Sequence, residues 1–216
     1  MATVSKVIGE REICIREGRK DLCVITFFAD FDEKFLPELI GSIPEVTVAA
    51  MRIDDWNREM SPWKAPPVFG NEPFGDGAGE MLDFITDVLI PELGCERYVI
   101  GGYSLSALFS LWACYRTDSF CGCAAASPSV WFPEWDSFIA NNSIRTGLVY
   151  LSLGDREAKT RNQVMATVAD RIRLQYDLLS EQIGSDKVVL EWNQGNHFKD
   201  VTKRCARSFE WVLGNL

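Results

Sequence analysis

The stretch Tyr98-Val99-Ile100-Gly101-Gly102-Tyr103-Ser104-Leu105-Ser106-Ala107-Leu108-Phe109 decides how this chain is read. An apolar run ends at paired glycines, a serine follows, and a small-residue apolar run continues through Ala113. That pattern predicts a strand, a sharp turn and a buried helix, the context of a nucleophile elbow. A serine at the top of such a turn sits in strained backbone, so the residues two before and two after it must be small. Gly102 meets the requirement, and Ser106, backed by Ala107, stands where glycine is usual. The amide of Leu105, first in the helix, would face a developing oxyanion, where unpaired donors and the helix dipole favour negative charge. Ser and Gly before an apolar helix also suit simple capping. The rest of the chain must therefore separate the two readings.

Of 216 residues, 47% are hydrophobic and 25% charged, the proportions of a globular chain long enough for one sizeable core. One domain over 1–216 is expected, with no internal repeat or composition break. The net charge of −9 comes with no basic run, which excludes a nucleic-acid footprint. Met1 to Lys6 lack the apolar core of a signal peptide, and no apolar stretch reaches membrane-spanning length. No membrane partner and a cytoplasmic location are expected. The cysteine count, 7, is odd, and Cys14, Cys23 and Cys114 lie in apolar runs, as packed reduced thiols do. Cys121-Gly122-Cys123 has no second pair at ligand spacing, so buried strand residues are expected there and no metal.

Periodicity gives strands at Glu12 to Arg16, Leu22 to Phe28, Val46 to Ile53, Cys121 to Ala126, Leu148 to Leu153 and Lys187 to Trp192, besides the elbow strand. Leu22 to Phe28 is apolar almost throughout, as a strand buried on both faces should be. Helices are expected at Phe35 to Ile40, across Asp83 to Leu89 with Met81, Phe84, Ile85 and Val88 on one side and an end near Pro91, from Val164 through Leu179, and from Phe198 to Leu213. Strands alternating with helices predict an α/β fold, a mostly parallel sheet with helices on both faces. Asp54 to Gly79 breaks the rhythm with Pro62, Pro66, Pro67 and Pro73 among Trp56, Trp63, Phe69 and Phe74. It leaves the carboxyl end of a strand and is expected to wall the site.

A serine hydroxyl needs a base to take its proton, and the base needs an acid to orient it. His197, in Gly195-Asn196-His197-Phe198, is the chain's one histidine and follows the last expected strand, on the same rim as Ser104. The strand Leu148 to Leu153 runs into Gly154-Asp155-Arg156-Glu157, which offers two carboxylates. Strand-Gly-x-x-acid, the spacing usual in hydrolases of this topology, favours Glu157, with Asp155 the alternative. Serine, acid and histidine then follow in the order that such folds use.

On these residues, with Ser127-Pro128-Ser129-Val130-Trp131 after the next strand, the chain resembles the α/β-hydrolases. It is specifically similar to the esterase family that includes enterochelin-esterase-like and S-formylglutathione-hydrolase-like proteins. The likeness runs from about Leu22 onward. It implies Ser104 as nucleophile, Glu157 as orienting acid and His197 as base. It also implies a second oxyanion donor in the loop after Phe28, near Ala29 to Phe31, which lacks the glycine cluster of many esterases. Only Ser127 to Gly147 separates two strands between which many hydrolases insert a lid, so the lid is minimal and the site open. Trp56, Trp63, Tyr103 and Trp131 are the expected substrate contacts, with Phe132 beside them. Gly75-Asp76-Gly77-Ala78-Gly79 has the wrong spacing for a dinucleotide or phosphate loop, and no cofactor is expected. The expected activity is hydrolysis of a small carboxylic ester. An acyltransferase and a catalytically silent binding protein of the same fold stand as alternatives.

Overall fold

The structure, a computed structural model, describes residues 2–30 and 35–216. In chain order the elements are β1 (Thr3–Ile8), β2 (Arg11–Arg16), β3 (Arg19–Phe28), α1 (Leu36–Ser42), β4 (Val46–Arg52) and α2 (Trp56–Glu59). Next come α3 (Ala78–Phe84), a π turn (Ile85–Leu89), α4 (Ile90–Leu93), β5 (Tyr98–Tyr103), α5 (Leu105–Arg116) and β6 (Gly122–Ala126). The chain closes with α6 (Trp135–Ala140), β7 (Val149–Gly154), a 3₁₀ turn (Met165–Thr167), α7 (Val168–Ile183), β8 (Val188–Asn193) and α8 (Val201–Gly214).

Eight strands form one sheet in the order β1-β2-β4-β3-β5-β6-β7-β8. The strands from β3 to β8 run parallel, while β2 is antiparallel to both β1 and β4. Alternation along each strand feeds two cores. Cys23, Ile25, Phe27, Ile100, Cys123, Val149 and Leu151 face α3, α5, α6 and α7 on one side. Leu22, Val24, Val48, Val99, Ala124 and Tyr150 face α1 and α8 on the other. Every residue of α5 except Arg116 is buried, which is why its sequence carries no polar stripe. From β3 the chain crosses to β4 on one side, then to β5 on the other, so the strand order reverses between β3 and β5. In open α/β sheets ligands bind beyond the carboxyl ends of the strands at such a reversal.

The helix expected to end near Pro91 closes at Leu93. It takes Pro91 into its last turn because the π turn directly before it accommodates a residue with no N–H for the carbonyl a turn earlier. Three other local expectations are corrected. The wide turn also rotates the buried face: Met81, Ile85, Leu89 and Leu93 are buried, at a constant spacing of four, while Val88 is 40% exposed. Val164 precedes α7 and is exposed, its amide capped by Asn162 Oδ1 at 3.0 Å. The last helix starts at Val201 rather than Phe198, since Asp200 at φ 54° cannot continue a right-handed helix. Strand β1 was not expected at all. It is an edge strand with only Ile8 buried, so it carries no apolar alternation. Among the described residues no helix is long and apolar enough to cross a membrane.

Candidate active site

Ser104 lies between β5 and α5 at φ 62° and ψ −120°, a conformation that costs a non-glycine residue about 1–3 kcal/mol. The surrounding backbone fixes it. The Ser104 amide donates to Ala126 O at 3.2 Å, and Ser104 O accepts from the amides of Leu108 and Ser129, both at 3.1 Å. A Cβ on Gly102 would come within 2.3 Å of Ser106 Oγ, so glycine is required there. The unusual Ser106 has its own use. Its buried hydroxyl accepts from the Tyr103 amide at 3.0 Å and donates to Tyr103 O at 2.9 Å, closing the turn below Ser104. Ser104 Oγ lies 3.0 Å from His197 Nε2 and 3.3 Å from Ser129 Oγ. Leu105 opens α5, where an amide has no intrahelical acceptor.

His197 Nδ1 lies 2.7 Å from Glu157 Oε2. A carboxylate only accepts, so Nδ1 carries the proton and Nε2 faces the serine as acceptor. The imidazole is 24% exposed, while the Glu157 side chain is 5% exposed. Glu157 Oε1 accepts from the Gly154 amide at 2.7 Å, from Ser127 Oγ at 2.9 Å and from Arg204 Nη2 at 2.6 Å. Burial pushes the Glu157 carboxyl up. The bond and charge of His197, then Arg204 and the Gly154 amide, more than reverse this and hold it below the usual carboxylate range. Asp155 points elsewhere: its Oδ1 accepts from the Gly195 amide at 2.7 Å and so braces the histidine loop. Gly195, at φ 113°, makes that bend possible. The structure therefore brings Ser104, His197 and Glu157 together and sets the Asp155 carboxylate on backbone.

The remaining expected residues fall into two groups. Ala29 follows β3 and is buried. Its strand β3 pairs with β5, the strand that leads into the elbow, from Cys23↔Tyr98 to Ile25↔Ile100. Phe31, at the far end of that expected donor loop, lies outside the described residues. Tyr103 is half-buried, with its hydroxyl donating to His197 O at 2.7 Å and its ring 5.1 Å from the imidazole. Burial pushes the Tyr103 phenol up, so it remains a donor.

The aromatic residues are mostly committed to packing. Trp131 is buried against Phe69 and Phe74. Trp63 stacks on Trp135 and donates Nε1–H to Pro133 O at 3.0 Å. Trp56 is half-buried against the core at the start of α2. The segment from Asp54 to Gly79 is ordered by this packing and by a bridge between Ala65 and Phe74. It carries an open cleft of about 990 Å³ lined by Asp55, Arg58, Lys64, Phe74 and Asp76 among others, and no triad residue lines it. Among the described residues no cluster of His, Cys, Asp and Glu is arranged to hold a metal ion.

An eight-stranded sheet of this order, with a strained serine after β5, an acid after β7 and a histidine after β8, defines the architecture. The fold is that of the α/β-hydrolases. Solved structures agree with it. An IroE-like serine hydrolase from Shewanella oneidensis is 17% identical with a TM-score of 0.73, over 97% of this chain and 79% of that one. Siderophore hydrolase EstA from Aspergillus nidulans is 20% identical with a TM-score of 0.64, over 99% and 94%. The enterobactin esterase FES from Shigella flexneri is 12% identical with a TM-score of 0.66, over 98% of this chain and 60% of that one. At these identities the likeness shows the fold. No protein-family model and no curated protein sequence matches the chain.

Sequence reasoning assigned no role to Arg204, Ser127 or Ser129. The two serines stand in the Ser-Pro-Ser segment, whose place directly after β6, beside the elbow strand, was the available signal. Arg204 had none, because a cation on a helix face reads as solvated.

Proposed function

We propose that this protein is a serine hydrolase of carboxylic esters, acting through an acyl-enzyme. The observation that carries the proposal is the chain of contacts Ser104 Oγ–His197 Nε2–Glu157 Oε2, at 3.0 and 2.7 Å. Ser104 Oγ attacks the ester carbonyl while His197 Nε2 takes its proton, and Glu157 stabilises the imidazolium without taking a proton itself. The carbonyl π electrons move to oxygen, where the Leu105 amide and a second amide at Ala29 stabilise the charge. The tetrahedral intermediate collapses, the C–O bond to the alcohol breaks, and Nε2–H protonates the departing oxygen. Water, deprotonated by the same nitrogen, then adds to the acyl-enzyme. Collapse releases the carboxylic acid and returns the proton to Ser104.

The minimal lid suits small or mobile acyl groups. The segment between β6 and β7 contains one helix, α6, and no inserted domain. Siderophore esters head the substrate panel, because similar structures include a siderophore hydrolase and an enterobactin esterase. The test is labelling by a fluorophosphonate probe, wild type beside Ser104→Ala, followed by turnover of short p-nitrophenyl esters and siderophore esters. Labelling and turnover that both vanish with Ser104 support the reading. Folded wild type that stays unlabelled overturns it and leaves the silent binding protein. Ester products formed with added alcohols would identify an acyltransferase instead.

A further inference from the structure

Among the described residues no charged side chain is more buried than Arg204, 3% exposed on the sheet-facing side of α8. A guanidinium in that position is costly to desolvate unless its donors are used. Most are, and they go to the candidate site. Nη2 donates to Glu157 Oε1 at 2.6 Å and to Ser127 Oγ. Nη1 donates to Asn196 O at 3.1 Å and to Lys199 O at 3.4 Å, the carbonyls on either side of His197. Its carbon lies 5.5 Å from the centre of the Tyr103 ring, and Tyr103 holds the carbonyl of His197 itself. One planar fork therefore bridges the acid turn after β7, the serine turn after β6 and the histidine loop after β8.

We propose that Arg204 is a positioning residue for the hydrolysis described above, holding the Glu157 carboxylate and the His197 loop in register through a single guanidinium. The inference rests on that reading of Ser104, Glu157 and His197. It has a geometric part and an electrostatic part. The fork sets the distance between acid and histidine, which a point charge on a flexible stem cannot do in several directions at once. The positive charge offsets the negative charge of Glu157, so that the buried pair with His197 is not left with uncompensated charge. The other groups around the pair are the Tyr103 hydroxyl from β5, Ser127 after β6 and Cys205, next to Arg204 on α8. The Asp155 carboxylate is held by the Gly195 amide. Lys199 reaches outward to Gln194 at 3.3 Å.

The experiment compares Arg204→Met and Arg204→Lys with wild type in kcat, KM, melting temperature and the pH profile of kcat/KM. In folded R204M, kcat is expected to fall about tenfold to a hundredfold, part of what a positioned base contributes, with KM little changed. The acid limb of its profile should move up by about one pH unit, because a positive charge has left the Glu157–His197 pair. R204K keeps the charge, so its limb should stay near wild type while kcat still falls. A residue that only staples α8 to the sheet would lower the melting temperature and move neither kcat nor the limb in folded protein, and that result overturns the inference. Should R204M not fold, R204K decides: reduced kcat with an unmoved limb supports positioning, and wild-type kcat overturns it. Activity that survives Ser104→Ala would sink the underlying reading. Serine-dependent activity indifferent to Arg204 would sink this inference alone.

Discussion

Two turns meet at His197, and they are secured by groups at very different distances along the chain. At the elbow the side-chain brace is local, the Ser106 hydroxyl tied to both backbone groups of Tyr103 three residues away, and backbone bonds to Leu108, Ala126 and Ser129 complete it. At the acid corner, Glu157 is held by Ser127, His197 and Arg204, which lie 30, 40 and 47 residues away. The elbow stores backbone strain and uses hardly any charge. The acid corner instead buries a carboxylate and a guanidinium together. Strain needs rigid local packing, supplied here by a helix buried almost throughout. Charge needs partners from several elements, which only a completed sheet can deliver. Damage to the elbow should therefore register chiefly in chemistry, and damage to the acid corner in both chemistry and stability.

The largest expected effect lies at the elbow. Ser104→Ala should reduce turnover by about 10⁴-fold or more, as loss of a nucleophile does. Its melting temperature should stay close to that of wild type, since among the described residues the hydroxyl bonds only to His197 and Ser129. A large loss of stability in that variant would break the contrast.

Next come the two carboxylates after β7. Glu157→Ala should cost roughly a hundredfold or more in kcat. It should also cost about 3–5 kcal/mol of stability, because Arg204 would remain buried without its counter-charge. Asp155→Ala removes one bond to the Gly195 amide, with an expected cost of about 1 kcal/mol and a much smaller loss of kcat. A greater kcat loss at Asp155 would reverse the assignment.

How much could be read in advance follows the same contrast. The elbow, its strand and its helix were legible because the side chains that set their pattern lie within a dozen positions of Ser104, while the distant Ala126 and Ser129 fix the turn through backbone groups that any residue carries. The parallel sheet was legible from apolar runs such as Leu22 to Phe28, buried as expected. Strand β1 was not, since both its faces are largely exposed and it has no hydrophobic period. Nor was the π turn, which the spacing of Met81, Ile85, Leu89 and Leu93 betrays only once the burial is known. Arg204 was the deepest omission. A cation in an amphipathic helix looks like a solvated face until the fold carries it beneath β7.

Acid should separate the regions further. The folded Glu157 carboxyl is held below its ordinary range, so it contributes stability above the unfolded pKa. That contribution is lost as the pH falls through the folded value. Wild type should therefore lose stability on acidification faster than Glu157→Gln, and the gap between them should shrink toward low pH. Ser104→Ala should follow the wild-type curve. Chemical denaturation at a series of pH values would measure this, and parallel curves for Glu157→Gln and wild type would remove the charge argument.

The smallest expected effect tests the one departure from the usual elbow pattern. Ser106→Gly restores the common residue but removes both hydrogen bonds that tie the hydroxyl to Tyr103. It also adds a glycine to the first turn of α5, where backbone freedom has to be given up on folding. The Ser104 backbone would still be fixed by Ala126, Ser129 and Leu108, so the strained φ should survive. The expected result is a loss of about 1–2 kcal/mol in stability, from the lost bonds and the added freedom. The kcat should change by no more than about threefold, the effect of a difference under 1 kcal/mol in the barrier. A large fall in kcat with stability intact would mean that the hydroxyl aims the nucleophile as well as bracing the turn. The elbow would then depend on a side chain as much as the acid corner does, and the contrast between the two turns would narrow to one of distance along the chain.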